Sequence, residues 1–404
     1  MSIDFTLDPQ LEEIRRRTRD FVEAEILPVE ADRTNWDEHD NIADVPLRAL
    51  REKARTAGLW CPQVPQALGG MGLPVTGRAV MYEEANRSIF GPAVFNCAAP
   101  DDGNMDVLAR VATPAQQARW LAPLVAGEVR SSFVMTEPAP GGGSDPGMIG
   151  TSAVRDGDVW RVTGRKWFIT GAEGAAHFIL IARTDPNPAE KRRHLTAFLF
   201  HRDQPGWKIL RRIAIMGPEE HGGHCELEFD GLEIPDENRL MGVGDGLKVT
   251  QIRLGTARLT HCMRWLGLAK RAMSEAQSYV DQREGFGIRL AERESVRLML
   301  GGVALNIQIG RLLTMNAAWA LDRGSHARKE VSMAKLHVAD TLHQAADVAI
   351  QLNGARGYSR DTVLEWIYRY ARQARLVDGA SEVHRMVLAD AYAREGDEFW
   401  TWGA

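Results

Sequence analysis

Two glycine-rich stretches hold the residue types that could do chemistry. The first is Phe133-Val134-Met135-Thr136-Glu137-Pro138-Ala139-Pro140-Gly141-Gly142-Gly143-Ser144-Asp145, an apolar strand end that turns through proline and successive glycines into Ser-Asp. Such a loop lets backbone N–H groups approach an anion closely and is a candidate phosphate cradle, although a Gly/Pro cluster is more often only a turn. The second is His221-Gly222-Gly223-His224-Cys225, whose donor types suit zinc. No remote pair completes four ligands, so no metal is assigned and the run reads as a Gly-kinked turn entering a strand. The cysteines Cys61, Cys97, Cys225 and Cys262 lie far apart with no Cys-x-x-Cys pair, which gives no disulfide framework and predicts reduced, mostly buried thiols.

The elements that must position these residues can be read from periodicity. Asp8-Pro9 opens a helix whose buried face carries Leu11, Ile14, Phe21, Val22, Ile26 and Val29, and further helices are expected over 46–57 and 76–88. Thr113-Pro114-Ala115-Gln116 combines an N-cap, a first-turn proline and a capping-box glutamine. From about residue 131 the pattern becomes short β-rich runs (159–162, 177–182, 195–200, 207–210, 226–229) separated by turn residues such as Asp156-Gly157. After Gly244-Asp245-Gly246, long amphipathic helices return over 247–283, 292–321, 329–352, 362–375 and 381–393. The fold class is therefore α+β, mostly α: an N-terminal helical domain (1–130), a middle antiparallel β sandwich or barrel (131–243) and a C-terminal antiparallel helical bundle (244–404). With 44% hydrophobic and 25% charged residues the 404-residue chain is globular, and a net charge of -5 argues against nucleic acid as a partner. The N-terminus lacks a basic segment followed by an apolar run, and no uninterrupted apolar stretch approaches ~18 residues, so a soluble, cytoplasmic protein without membrane contact is expected.

The motifs in this order resemble the acyl-CoA dehydrogenase family, over nearly the whole chain. Thr136-Glu137-Pro138 followed by Gly143-Ser144-Asp145 matches that family's flavin-binding signature, and Lys166-Trp167-Phe168-Ile169-Thr170 resembles its second. Arg283 with Phe286-Gly287, Gln351-x-x-Gly354-x-x-Gly357-Tyr358, Pro65 to Gly72 and Gly244 to Leu247 fit as well. The resemblance implies FAD, met along its polar ring edge by the backbone at Met135-Thr136 and the hydroxyls of Thr136 and Thr170. Phe168 is placed against one ring face, while strand alternation sends Trp167 to the opposite side as a core tryptophan. Ser144 would meet the pyrophosphate or the pantetheine chain. Arg283, Phe286, Gln351 and Gly354 would contact the adenine end of a flavin held by a neighbouring subunit, which makes the protein a homodimer or homotetramer.

Dehydrogenating an acyl-CoA needs a carboxylate aligned with Cα while hydride leaves Cβ. The family's base motif corresponds to Val377-Asp378-Gly379-Ala380-Ser381-Glu382, so the resemblance makes Asp378 the base, one methylene shorter than the usual Glu. The alternative base position of some relatives falls near Ala257, which cannot serve. Asp378 N–H would polarise the thioester carbonyl and Gly379 would pass close to it. Ala380 and Glu382 stand where Thr and Gln usually approach the flavin. Arg258 matches a helix arginine near the substrate, and Gly255 replaces a frequent polar CoA contact. The run Asn96 to Met105, with Gly222-Gly223-His224 and the Asp base, is most similar to the branch whose animal members carry a fused kinase-like domain and are associated with 4-hydroxyacyl-CoA breakdown.

The expected activity is FAD-dependent α,β-dehydrogenation of an acyl-CoA, within fatty acid β-oxidation, with electrons passed to an electron-transferring flavoprotein. An oxygen-using acyl-CoA oxidase or flavin monooxygenase on the same scaffold is the first alternative. A non-catalytic, DNA-associated flavoprotein is the second, resting on Arg356, Arg360, Arg369, Arg372 and Arg375; interleaved Asp361, Glu365 and Asp378 make a solvated bundle face the simpler explanation.

Overall fold

Strands that are apolar without interruption must be covered on both faces, and two such runs fix how helices and sheet meet. A computed structural model describes residues 5–185, 193–219 and 221–401; Met1 to Asp4, on which the reading of the N-terminus partly rests, lie outside the described residues. The chain opens with α1 (Pro9–Phe21), α2 (Leu27–Ala31), α3 (Asp44–Thr56), α4 (Val75–Ala85), α5 (Gly91–Val94), α6 (Asp101–Val111), α7 (Pro114–Gln116) and α8 (Ala122–Val125). It continues through β1 (Ser131–Val134), β2 (Ser152–Asp156), β3 (Val159–Thr170), β4 (His177–Arg183), β5 (Leu195–His201), β6 (Trp207–Arg212), β7 (His224–Pro235) and β8 (Arg239–Leu240). Then come α9 (Gly246–Gln282), the hairpin β9 (Glu284–Gly285) and β10 (Ile288–Arg289), α10 (Glu294–Asp322), α11 (Arg328–Asn353), α12 (Ala355–Tyr358), α13 (Leu364–Gln373) and α14 (Ser381–Glu395). The local signals act as expected. Asp8 accepts from Gln10 N ahead of Pro9, and Thr113 and Gln116 close both bonds of a capping box.

The sheet runs β6-β7-β3-β2-β4-β5-β8, with β1 added to β4. Its pairing is antiparallel except where β1, and β2 at one position, lie parallel to β4. Alternation along β4 and β5 divides their side chains. Ile179, Ile181, Leu195, Ala197 and Leu199 face the helices and join their core, while Phe178, Leu180, Phe198 and Phe200 fill a second core inside the curled sheet. The helices before and after the sheet share the first of these cores.

At 37 residues, α9 is about 55 Å long and runs from the sheet through the bundle. Two glycines let neighbours approach it. A Cβ at Gly267 would lie 2.4 Å from Glu83 O of α4, and one at Gly103 of α6 would lie 3.1 Å from Arg253 Nε. Asp322, closing α10, caps the first turn of α4 through Val75 N (2.6 Å) and Thr76 N (2.9 Å). Although α10 is interrupted by charges, it holds an 18-residue window of mean hydropathy 1.4 that is only 22% buried, which the search for uninterrupted apolar runs overlooks. Its outer residues include Leu298, Leu305, Ile309, Leu312 and Trp319.

The flavin-type motifs at 136–145 and 166–170 are joined by one buried ion pair. Lys166 Nζ, fully buried, lies 2.9 Å from Glu137 Oε1 and donates to Met135 O at 2.7 Å. Glu137 in turn accepts from Gly150 N and Thr151 N at 2.7 and 2.9 Å, so it clasps both ends of the glycine loop. Burial alone would raise the Glu137 carboxyl, but Lys166 and the loop amides outweigh it and hold it below its ordinary value. The stabilisation is present above the ordinary glutamate range and is lost as pH falls through the depressed value. Glu137→Ala, which leaves a buried ammonium unpaired, is expected to cost about 3–5 kcal/mol in urea unfolding at neutral pH; Glu137→Gln should flatten the acid-side decline in stability.

Candidate active site

Asp378 sits where the chain doubles back between α13 and α14. Leu376 N and Val377 N bond back to Gln373 O at 2.7 and 3.1 Å, and Ser381 N reaches Arg375 O at 3.1 Å. The reversal needs left-handed backbone at Asp378 (φ 51) and Gly379 (φ 102). Asp is among the few non-glycine residues that enter this region readily. A Cβ on Gly379 would come within 3.1 Å of His384 Nε2. The loop carbonyls are held from behind by two cations: Arg258 Nε donates to Asp378 O at 2.8 Å, and Lys335 Nζ to Gly379 O at 2.6 Å. Burial drives Lys335 down to about 8 and His384 down to about 4. The N-cap of α14 is Ala380, so Asp378 is not spent as a cap and its side chain turns into a cavity.

That cavity, of about 70 Å³, is lined by Pro100, Thr170, His224, Arg253, His261, Tyr370, Gln373 and Val377 as well as Asp378. Arg253 Nη1 lies 3.6 Å from Asp378 Oδ1 and His261 Nε2 3.3 Å from Oδ2. Neither contact closes as an aligned hydrogen bond, and the buried Oδ2 has no hydrogen-bond partner among the described residues. Burial would raise the Asp378 carboxyl; His261, Arg253 and Arg258 together outweigh it and hold it well below the ordinary carboxylate range. The group is an ionised, incompletely satisfied carboxylate facing a cavity, the protonation state in which it can accept a proton, and the cations that keep it ionised also weaken it as a base until they or the solvent rearrange.

Arg253 and His261 are absent from the sequence reading, as is Arg264. All lie on α9, with Arg253, Ala257 and His261 at four-residue steps on one face. Ala257 is buried in that face. The usable signal is that Arg253 and Arg264 are buried cations on an apolar stripe and need acceptors. The acceptors come from the Asp101-Asp102-Gly103-Asn104 run on α6. Arg264 Nη1 donates to Asp102 Oδ2 at 2.6 Å and to Cys97 O at 3.0 Å, and Arg253 Nε faces Asn104 Oδ1 at 3.4 Å.

The remaining expected residues divide by location. Thr170 lines the cavity, with Oγ1 3.0 Å from His224 Nδ1, and Thr136 Oγ1 donates to Trp167 O at 2.7 Å. Phe168 is 46% exposed and held at φ 51 within an irregularity of β3. That irregularity breaks the alternation, which corrects the reading of Trp167 as a core residue: it is only half-buried, and its ring lies 5.0 Å from that of Phe168 on the same edge. Met135 is partly buried beside them and Ser144 is exposed on the loop. Arg258 is committed through Nε to the Asp378 carbonyl, so it supports the loop. Glu382 is exposed on the first turn of α14, and Ala380 is half-buried. Arg283, Phe286, Gln351 and Gly354 are exposed and lie outside the Asp378 cavity. The run 221–225 is a turn with Gly222 and Gly223 at positive φ, entering β7.

An exposed aromatic ring beside hydroxyls, adjoining a glycine loop in which a Cβ at Gly143 would meet nothing, is a donor set that fits a flavin. Matches to known proteins give the same family. The acyl-CoA dehydrogenase N-terminal, middle and C-terminal domain models match residues 8–128, 132–232 and 244–393. The Mycobacterium tuberculosis protein named "Probable acyl-CoA dehydrogenase FadE2" is 35% identical over 98% of this chain and 99% of its own length. Mouse acyl-CoA dehydrogenase family member 11 is 34% identical over 94% of this chain, which spans 50% of that longer protein. The butyryl-CoA dehydrogenase structure from Megasphaera elsdenii superposes with a TM-score of 0.84 at 26% identity, over 97% of this chain and 100% of that one.

Arg258→Ala should leave the fold intact but release the Asp378 carbonyl. Losing a charge-assisted hydrogen bond worth about 1.5–3 kcal/mol predicts amide exchange at Gly379 and Ala380 faster by roughly tenfold or more, read by hydrogen-exchange mass spectrometry.

Proposed function

The chain belongs to the acyl-CoA dehydrogenase family, an FAD-binding family of oxidoreductases, and from that premise we propose that it removes hydrogen from Cα and Cβ of an acyl-CoA thioester with Asp378 as the base. The observation that carries this reading is the ionised Asp378 carboxylate at the wall of a cavity that is also lined by Thr170. Met135, Thr136, Ser144, Phe168 and Thr170 would hold FAD, which when bound would supply the acceptor for the hydride that leaves Cβ. The chain does the rest. Asp378 takes the α proton onto its carboxylate, and its backbone N–H and that of Gly379 orient the thioester. Seating the acyl group displaces water from the carboxylate, which removes hydration that stabilises its charge and moves its basicity towards the task.

The cavity lining also points to a substrate class. His224, Arg253 and Gln373 present polar groups to the cavity, to which a polar substituent on the acyl group can bond and a plain alkyl chain cannot. Acyl groups bearing a hydroxyl or similar group near the reacting carbons are the preferred substrates in this reading. Electrons pass to an electron-transferring flavoprotein. The four free, buried cysteines suit a reducing compartment, and the cytoplasm is the location proposed.

A second copy of the chain completes the assembly. Phe286 is fully exposed at φ 55 in the β9–β10 turn, with Gly287 also at positive φ, the backbone of a tight two-residue hairpin. An apolar ring presented this way next to Arg283, together with the outer face of α10, favours a partner subunit over water. Three of the five arginines of the DNA-binding alternative are instead paired with acids: Arg369 and Arg360 meet Asp40 and Glu365, and Arg375 meets Asp340.

Anaerobic mixing with a panel of acyl-CoA thioesters should bleach the flavin, and Asp378→Asn should retain FAD while slowing bleaching by at least ~100-fold. An Asn variant as fast as the parent removes Asp378 from the role of base. Because the carboxyl is depressed in the free protein, kcat/KM should show no acid limb at the ordinary Asp value of about 4. Hydroxylated thioesters should exceed plain ones of equal length by about tenfold or more in kcat/KM; equality would sink the substrate class. Leu305→Asp with Ile309→Asp should lower the sedimentation mass of the assembly.

A further inference from the structure

His261 belongs to none of the family-like motifs, yet its Nε2 lies 3.3 Å from Asp378 Oδ2. We propose that His261 is a positioning residue for Asp378, its ring set by Arg264 so that Nε2 carries the hydrogen and presents it to the carboxylate. The inference rests on the reading of Asp378 as the base.

The tautomer follows from what surrounds the ring. Arg264 Nη2, which can only donate, lies 3.3 Å from His261 Nδ1, so Nδ1 is the acceptor and the hydrogen resides on Nε2. Arg264 cannot turn away. It is 3% exposed and fixed by Asp102 Oδ2 and Cys97 O, and Asp102 Oδ2 is itself bonded by Thr260 Oγ1 at 2.9 Å. The imidazole is stacked on Trp265 with centroids 5.2 Å apart and planes at 22°, which fixes the direction of Nε2. A chain of contacts therefore runs from Asp102 on α6 through Arg264 and His261 on α9 to the base.

Other charged or polar groups around Asp378 act elsewhere. From α9, Arg253 faces Oδ1 and Arg258 holds the backbone carbonyl; from α11, Lys335 holds the Gly379 carbonyl. His384 on α14 packs behind Gly379 with Nδ1 3.1 Å from Ser332 Oγ. His224 and Thr170 from the sheet are paired with each other, and Tyr370 and Gln373 of α13 line the same cavity. Of the ionisable groups, His261 is the one that faces Oδ2, at 3.3 Å. An aspartate base, with one rotatable bond fewer than glutamate, depends on such a contact more strongly, because its carboxylate cannot swing to correct a poor approach.

The test follows protonation of Asp378 in the FAD-loaded protein by infrared difference spectroscopy across pH, each spectrum referenced to the Asp378→Asn form. In His261→Leu, which matches the ring's apolar packing without a donor, the protonated carboxyl band should appear at a pH at least one unit higher than in the parent, a tenfold change in affinity for the proton. In His261→Gln, which keeps an N–H of similar reach, it should follow the parent. Parent and Leu variant titrating together, or showing no protonation alike, overturns the inference, as does a Gln variant that shifts with Leu. The same order should appear in the acid limb of kcat/KM. If no thioester bleaches the flavin, the dehydrogenase reading falls while the infrared titration still decides the role of His261.

Discussion

A charged carboxylate shielded from bulk water is costly unless its surroundings replace the lost hydration, and that requirement organises the structure around Asp378. The replacement is divided among elements. The backbone of the turn is pinned by Arg258 and Lys335, the carboxylate is faced by Arg253 and His261, and the arginines behind it need acids and carbonyls of their own. Those come from α6, whose Gly103 lets it close onto α9. The 37-residue run of α9 is what allows supports for Asp378, the core and α4 to share one element.

The same economy governs the flavin wall. A glycine loop has little intrinsic preference for one shape, so a buried charge pair outside the loop, Glu137 with Lys166, ties its two ends to the neighbouring strand. The conformational freedom of the glycines is offset by a contact made through a neighbouring strand.

Much of this was legible in the chain. The helix, sheet, helix order follows from a change in hydrophobic period near residue 131, and the two-faced strands announce themselves as uninterrupted apolar runs at 177–182 and 195–200. The family could be read from motif order. Trp167 was not legible, because alternation predicts a face only while the ladder is regular and the irregularity before Ile169 leaves no mark in the sequence. His261 and Arg264 were hidden for another reason: on a helix flanked by Leu259, Cys262, Met263 and Trp265 they look like exceptions to a core stripe, and their meaning depends on Asp102, more than a hundred and fifty residues earlier. Asp102 and its neighbours were noticed as a branch marker, without the physical purpose that only proximity supplies.

The Asp102–Arg264 pair has a historical consequence. Removing either member alone leaves the other charged and buried, a state that costs about 3–5 kcal/mol and consumes much of a typical domain's margin of stability. A lineage carrying this arrangement cannot drift out of it one substitution at a time without passing through a poorly folding ancestor. The support beneath Asp378 is therefore an evolutionary ratchet, easier to inherit than to exchange.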